Sequence, residues 1–442
     1  MKSKLSLGVL AYLRFWARLM LKKNPRAIVV GITGSAGKTS TRLAVVKILS
    51  TRGVVKHSVH ANSESGIPLN ILGLSLRSYS ALDWLRVIIL APLRYFFYHE
   101  RYDFYVVEMG IDSPYPPKNM DYLLSIVKPD IAVVLGASHV HTASFDAMVK
   151  DTNPVRRAAK LLELVAKEKM KLAKAVGSNG TVVVNLDNAA LSPHIKNVRA
   201  RLLSIGKENK SSIRIIKTKL SSHGFSTTYE YDHVEHELTL TDIFGPEFST
   251  TFAAALAVGV SLGISVELGV KALKSYRAPA GRMRVFSGIK GTHIIDSSYN
   301  ASPDTVVSAL STLDSVSPRG SHIVVLGDMR ELGTMSKPAH QKLAKILATR
   351  SDTFVLYGDM MTRYAFPYLK REKKKVYNPS TMAELISTLH SLLKPNTWIL
   401  FKGSQNTIFL ERAVESILAD KDDVRLLPRR GAYWDKMRNL AR

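Results

Sequence analysis

Residues Ala27–Arg42, AIVVGITGSAGKTSTR, constrain this chain more than any other stretch. An apolar run rich in Val and Ile gives way to a Gly/Ser-rich turn, then to Lys38, Thr39 and Ser40, then to a helical pattern. Strand, glycine turn and helix in that order build a cradle for phosphate. Main-chain N–H groups converge on the anion, the helix N-terminus adds its dipole, a lysine neutralises charge and a hydroxyl holds Mg²⁺. The candidate nucleotide-binding residues are therefore Gly34, Ser35, Gly37, Lys38, Thr39 and Ser40. The spacing departs from the general pattern, because Ile32 stands where the first glycine belongs, with Gly31 one place early and Gly34 inside the turn. An ordinary strand–turn–helix is the competing reading; a β-run before the Gly-Lys-Thr and a helix after it favour the nucleotide.

At 442 residues the chain is too long for one core, and two or three domains are expected. The absence of Cys excludes disulfides, Cys-ligated zinc and thiol nucleophiles, and suits a reducing, cytoplasmic compartment. Sixty-two Lys+Arg against 36 Asp+Glu give a net charge of +26, a field that favours nucleotides, nucleic acid or an acidic lipid surface. No RNA- or DNA-recognition motif accompanies the charge, which disfavours nucleic acid. The run REKKK at 371–375 reads as a solvated loop.

Two apolar stretches raise the question of a membrane. Residues 1–23 place Leu5, Leu10, Leu13, Phe15, Trp16, Leu19 and Met20 among Lys2, Lys4, Arg14, Arg18, Lys22 and Lys23. Charges interrupt the run too often for a span, and no small-residue cleavage site follows. A basic amphipathic helix on the inner face of an anionic membrane and a helix docked on the protein itself are both open. In WLRVIILAPLRYFFY (84–98), Arg86, Pro92 and Arg94 break a run too short to span. Burial is favoured there over membrane-surface contact.

Further along, DFYVVEMG (103–110), KPDIAVVLG (128–136) and TVVVNLDN (181–188) are continuous apolar runs, the pattern of strands buried on both faces of a parallel sheet. Glu108 and His139 follow two of them, at the carboxyl ends where such sheets hold ligands. Residues 151–176 read as a basic helix with a mostly solvated face. Polar–apolar alternation over 212–242 suits half-exposed antiparallel strands. After RAPAG (277–281), strands and helices alternate again through THIIDSSYN, SHIVVLGDM, TFVLYGD and TWILFKGS, a second, Rossmann-like α/β pattern. The expected class is α/β, with a basic helix at 1–26, a central nucleotide-binding domain at 27–278 and a Rossmann-like domain at 279–442.

TGSAGKTS, ESGIP, VVEMG, Gly136-x-x-His139, VVVNLDN, GRM, IIDSSYNASPDT, VVLGDMRELG…H and KGS follow one another over about residues 27–412. In that order they resemble the Mur ligases, and most closely the branch that adds D-alanyl-D-alanine to a peptidoglycan precursor. The resemblance implies an ATP-dependent ligase in which a carboxylate becomes an acyl phosphate that an amine then attacks. Its partners would be a muramyl-peptide-type acceptor and an amino acid or dipeptide. It places Lys38 on the β/γ-phosphates and Thr39, Glu108 and His139 around Mg²⁺. His141 read with His139 as a zinc pair lacks further ligands. Lys169 falls where the family carries a carbamylated lysine, with Lys167 as a rival register because Lys171 replaces the family's following acid. Arg282, Asp296, Tyr299 and Asn300 would approach the nucleotide as the domains close, while Asp328, Lys402 and Ser404 would face the incoming amine.

Three departures qualify the resemblance. Glu247, Phe248 and Thr251 stand where the family usually places adenine contacts, and Leu135 replaces an Asn ahead of Gly136-x-x-His139. About 26 residues precede the cradle, too few for the family's UDP-binding domain. Two rival functions follow: a ligase for a lipid-linked or polyglutamate-like carboxylate, and a nucleotide-binding scaffold without turnover.

Overall fold

The apolar runs become strands because a segment without polar alternation is stable only when both its faces are covered. The structure, a computed structural model, describes residues 4–440 apart from 60, 140–141, 222–223, 242, 319 and 405–407, so His141 lies outside the described residues. The chain divides into two compact units. The first takes residues 1–217, 227–238 and 248–276; the second takes 218–226, 239–247 and 277–442.

The larger sheet contains β1 (Ile28–Thr33), β2 (Val55–His57), β3 (Phe104–Glu108), β4 (Ile131–Val134), β5 (Thr181–Asn185), β6 (Arg201–Gly206), β7 (Ile213–Ser221), β8 (Gly224–Tyr231) and β9 (Val234–Leu240). Their spatial order is β2-β3-β1-β4-β5-β6-β7-β8-β9. From β2 through β7 the pairings are parallel. Every residue of β3, β4 and β5 is buried. The strand order reverses at β1, where the chain runs to β3 on one side and β4 on the other; that reversal opens a crevice at the carboxyl ends. One expectation needs correction: β7 is not purely antiparallel, since Ile213 and Arg214 extend the parallel ladder from β6. β8 and β9 meet at Asp232-His233, whose φ angles of 50° and 62° belong to a primed hairpin turn.

The smaller sheet contains β10 (Arg284–Gly288), β11 (Thr292–Ser297), β12 (His322–Gly327), β13 (Thr353–Tyr357), β14 (Val376–Tyr377) and β15 (Trp398–Lys402), in the order β10-β11-β15-β12-β13-β14. Only the β10 edge is antiparallel. β15, last in sequence, inserts between β11 and β12, so the carboxyl ends of these three strands form one rim.

The helix Lys4–Leu21 buries Leu10, Leu13, Ala17 and Met20, a repeat of three and four that matches the helical turn, and leaves Leu7 and Phe15 outside. The helix Ala81–Phe97 departs from the favoured reading of burial. Asp83, Val87 and Ala91 are buried, while its opposite stripe faces outward although it is apolar. Among the described residues no helix is long and apolar enough to cross a membrane.

Candidate active site

The cradle is built where β1 turns into the helix Lys38–Leu49. Gly37 sits in the left-handed region at φ 82°, a conformation costly for a residue with a Cβ. A Cβ on Gly34 would lie 2.9 Å from that of Leu135. The turn is anchored to the segment after β4: the Ser35 amide donates to the Gly136 carbonyl at 3.0 Å, and the Ser138 amide donates to Ser35 Oγ at 2.9 Å. Asn185 and Asn188 hold that segment in turn. Asn185 Nδ2 donates to the Leu135 carbonyl at 3.0 Å, and Asn188 bonds both the amide and the carbonyl of Ala137. Leu135 thus packs on the cradle glycines through its side chain, while its carbonyl is held by Asn185 of VVVNLDN.

Thr39 Oγ1 donates to Glu108 Oε2 at 3.0 Å, and Arg42 Nε donates to Glu108 Oε1 at 2.8 Å, forming an ion pair buried on both sides. Arg42 also contacts His57 Nδ1, and the Glu108 amide donates to Ser58 Oγ at 2.9 Å. Arg42 lies one helical turn beyond Lys38 on the sheet-facing side. Sequence reading passed over it, although that spacing would have signalled a residue sharing the cradle's face. Lys38 Nζ donates to the Gly34 carbonyl at 2.7 Å. His139 follows the anchored segment, and its carbonyl accepts from Thr142 Oγ1.

Lys169 lies on the helix Pro154–Lys174 and is buried, whereas Lys167, the rival register, is exposed. Burial, with Lys38 nearby, brings the Lys169 amine down to about 7; the charges of Asp112 and Glu168 oppose the shift. Lys171 forms ion pairs with Asp121 and Glu168 instead. Of the three positions where the resemblance leads one to expect adenine contacts, Phe248 and Thr251 are buried, with Phe248 packed on Phe252 and Tyr276, while Glu247 is exposed.

In the second unit the rim of β11, β12 and β15 gathers Asp296, Tyr299, Asn300, Asp328, Lys402 and Ser404. Asp296 is fully buried. Its Oδ1 accepts from the Ser298 amide at 3.0 Å, and its Oδ2 has no hydrogen-bond partner, so burial raises its pKa. Lys402 Nζ donates to Ser297 Oγ at 3.1 Å and to the Asn300 carbonyl at 2.8 Å. Burial lowers its pKa to about 8, helped by Arg282 and opposed by Glu247. The Arg282 guanidinium stands 4.7 Å over the Tyr299 ring.

Asp328 differs from a simple ammonium receptor, because its oxygens accept from the amides of Met360 and Met361 at 3.2 and 2.9 Å. It lines a cavity of about 360 Å³ with Arg330, Glu331, Ser336 and Asp359. Ser404 Oγ accepts from the Arg330 amide at 2.8 Å and donates to the Ala301 carbonyl, tying two loops of the rim together. The histidine that closes VVLGDMRELG…H is His340, to which sequence reading assigned no role: it receives the Met329 amide on Nε2 at 3.1 Å and bonds the Ser336 carbonyl through Nδ1, which pins the DMREL loop. One further residue was not singled out in the sequence. Arg429, paired with buried Glu411, donates to the carbonyls of Ser298 and Tyr299.

Among the described residues no three His, Cys, Asp or Glu side chains converge as a metal cage. Mg²⁺ needs no such cage, since it is held through one or two protein oxygens plus nucleotide phosphates, and Thr39 Oγ1 beside Glu108 Oε2 offers such a pair.

The Mur ligase middle domain matches residues 32–259, and the Mur ligase glutamate ligase domain matches residues 281–405. The UDP-N-acetylmuramoyl-tripeptide–D-alanyl-D-alanine ligase of Rickettsia prowazekii is 25% identical over 90% of this chain and 79% of its own length. The enzyme of the same name from Bacillus subtilis is 23% identical over 88% and 76%. The fold is shared with MurF of Thermotoga maritima, solved with ADP, at a TM-score of 0.72, 22% identity, 98% of this chain and 85% of that one. It is shared likewise with MurF of Acinetobacter baumannii, at a TM-score of 0.71, 21% identity, 92% and 79%. With both ligase domains matched in order, and with a phosphate cradle and a second α/β rim of polar residues, the chain belongs to the Mur ligase family of ATP-dependent, C–N bond-forming ligases.

Proposed function

We propose that this chain joins D-alanyl-D-alanine to the peptide carboxylate of a muramyl-type precursor, using ATP and Mg²⁺. The observation that carries the reading is the alignment of about nine-tenths of the chain with ligases named for that reaction. In this reading Lys38 and the cradle amides hold the nucleotide phosphates. Thr39 and Glu108, with His139 after the anchored segment, hold Mg²⁺, which when bound neutralises charge on the transferring phosphoryl group. Arg42 holds one oxygen of the Glu108 carboxylate and leaves the other on Thr39. Lys169, buried with a near-neutral amine, suits carbamylation, which would turn a cation into an oxygen ligand. In the second unit Asp296, whose Oδ2 has no hydrogen-bond partner, acts on the nucleotide in this reading together with Arg282, Tyr299 and Asn300. Lys402, Ser404 and Asp328 shape the receptor for the incoming amine.

We place the enzyme in the cytoplasm, at the inner face of the membrane, with contact made through residues 1–23. The deciding experiment supplies purified protein with ATP, Mg²⁺, D-alanyl-D-alanine and a muramyl tripeptide linked either to UDP or to a lipid. Phosphate release that depends on both substrates is the expected result. Release only with the lipid-linked or a polyglutamate-type acceptor reassigns the acceptor. Nucleotide binding without ADP formation on any acceptor overturns catalysis in favour of a scaffold.

A further inference from the structure

We propose that the helix Ala81–Phe97 is the main membrane-docking element and that an anionic lipid surface is its occupant. The inference rests on the membrane contact proposed above and moves its centre away from residues 1–23.

The outward stripe of this helix consists of Leu82, Leu85, Ile89, Leu93, Phe96 and Phe97, spaced by three and four residues along one face and exposed by 78, 52, 55, 44, 66 and 84%. A helix that hides one face in a soluble fold normally keeps charged residues on the other. Here the hidden face is already accounted for by Asp83, Val87 and Ala91. Both arginines of the helix are turned back onto the protein: Arg86 pairs with Asp83, and Arg94 donates to the Gly73 carbonyl and covers the Tyr98 ring. The apolar stripe is therefore continuous, and patches of this kind mark interaction surfaces.

The stripe is held rigidly. Ser80 Oγ caps the helix through the Asp83 amide, and Asp83 accepts from the amides of Arg77 and Ser78. Tyr12 of the first helix donates to the Ile88 carbonyl at 3.0 Å. The Trp16 ring lies 5.6 Å from that of Tyr95, 6.1 Å from that of Phe96 and 5.3 Å from that of Phe15. This aromatic cluster joins the two helices into one platform, to which the first adds exposed Leu7 and Phe15.

Charge selects the occupant. Residues 4–26 contain Lys4, Arg14, Arg18, Lys22, Lys23 and Arg26 and no Asp or Glu. The nearby acids are neutralised, Asp83 by Arg86 and Glu100 by Lys56. Lys23 lies on the Tyr95 ring of the cluster itself. Arg18 and Lys22 line, with Lys128, a cavity of about 640 Å³, room enough for a lipid phosphate. A second copy seated on the platform would bring like charges together, whereas an anionic bilayer opposes them with negative charge. The helix has 17 residues, Pro92 lies within it and its other face is packed on the protein, so it lies in the interface plane.

The test is co-sedimentation of the full-length protein with phosphatidylcholine vesicles with and without phosphatidylglycerol, at low and high salt. Binding to the anionic vesicles that weakens with salt is expected. The Ile89→Glu/Phe97→Glu variant should bind at least about tenfold more weakly. Its thermal melting should be unchanged, because both side chains are exposed. A second variant, Leu85→Glu, should show the same loss in smaller measure. Full binding by these variants together with loss in Lys22→Glu/Lys23→Glu overturns the inference and leaves residues 1–23 as the contact. No vesicle binding by the unaltered protein overturns both. Concentration-dependent dimerisation that Phe97→Glu abolishes, without vesicle binding, overturns the lipid in favour of a second copy.

Discussion

Lys38 is the side chain on which the nucleotide reading depends most directly. It is exposed enough to be lost without opening the core, and replacing it with Ala should lower turnover by about a hundredfold or more while leaving the melting temperature near its original value. Steady-state phosphate release and a thermal melt check both parts, and unchanged activity would remove the cradle from the mechanism. Lys169 and Lys402 make a second prediction. Each is buried, with its folded pKa lowered from 10.5 to about 7 and about 8 respectively. Above these values the folded protein has released protons that the unfolded chain still binds, so both groups make stability rise with pH until the unfolded lysines titrate. Each contributes a slope of about 1.4 kcal/mol per pH unit across its window. Urea unfolding at successive pH values should show the rise, and Lys169→Met and Lys402→Met should each flatten it. Carbamylation of Lys169 would itself remove its share of the slope, so the Lys169 comparison also reports on that chemistry. Residue types next to strand ends made much of this region legible in the sequence. Arg42 and Arg429 were not, and His340 was marked only as the end of a motif, because each acts by fixing another group, through a contact that residue type and spacing do not show.

At the scale of elements, the cradle and the rim depend on main-chain geometry as much as on charge. Gly37→Ala forces a Cβ into the left-handed region and should cost about 1–2 kcal/mol. It should weaken ATP binding more than stability, as isothermal titration and melting together would show. Arg429→Ala would leave the buried Glu411 side chain without its partner, and loss of one partner of such a pair costs about 3–5 kcal/mol. The double variant Arg429→Met/Glu411→Leu should recover most of that stability. It should not recover the Michaelis constant for ATP, because the carbonyls of Ser298 and Tyr299 would remain untethered. The strands that carry these sites were readable because both-face burial writes itself as uninterrupted Val and Ile. Short edge strands such as β2 and β14 bury too few residues to leave a pattern, and β6 and β10 carry polar residues that interrupt theirs. For residues 84–98 the sequence favours burial without excluding the membrane surface, because hydropathy alone does not say which of two apolar faces finds a partner.

For the whole molecule, the net charge of +26 acts on every anionic substrate at once. The kcat/KM for ATP should fall as salt rises from low to physiological ionic strength, with kcat nearly constant, because the field acts on encounter. The α/β class was legible from the alternation of runs and helices. The division into two units was harder to place, since residues 218–226 and 239–247 belong with the second unit although the strands they lie in begin or end in the first. The bond from Lys38 to the Gly34 carbonyl has a consequence for selectivity. That bond uses one of the ammonium's three N–H groups and fixes the charge over the turn. A polyphosphate spans this charge and the cradle amides together, whereas a single small oxyanion meets only part of them, which biases the cradle against the small anions that a strongly basic protein would otherwise collect.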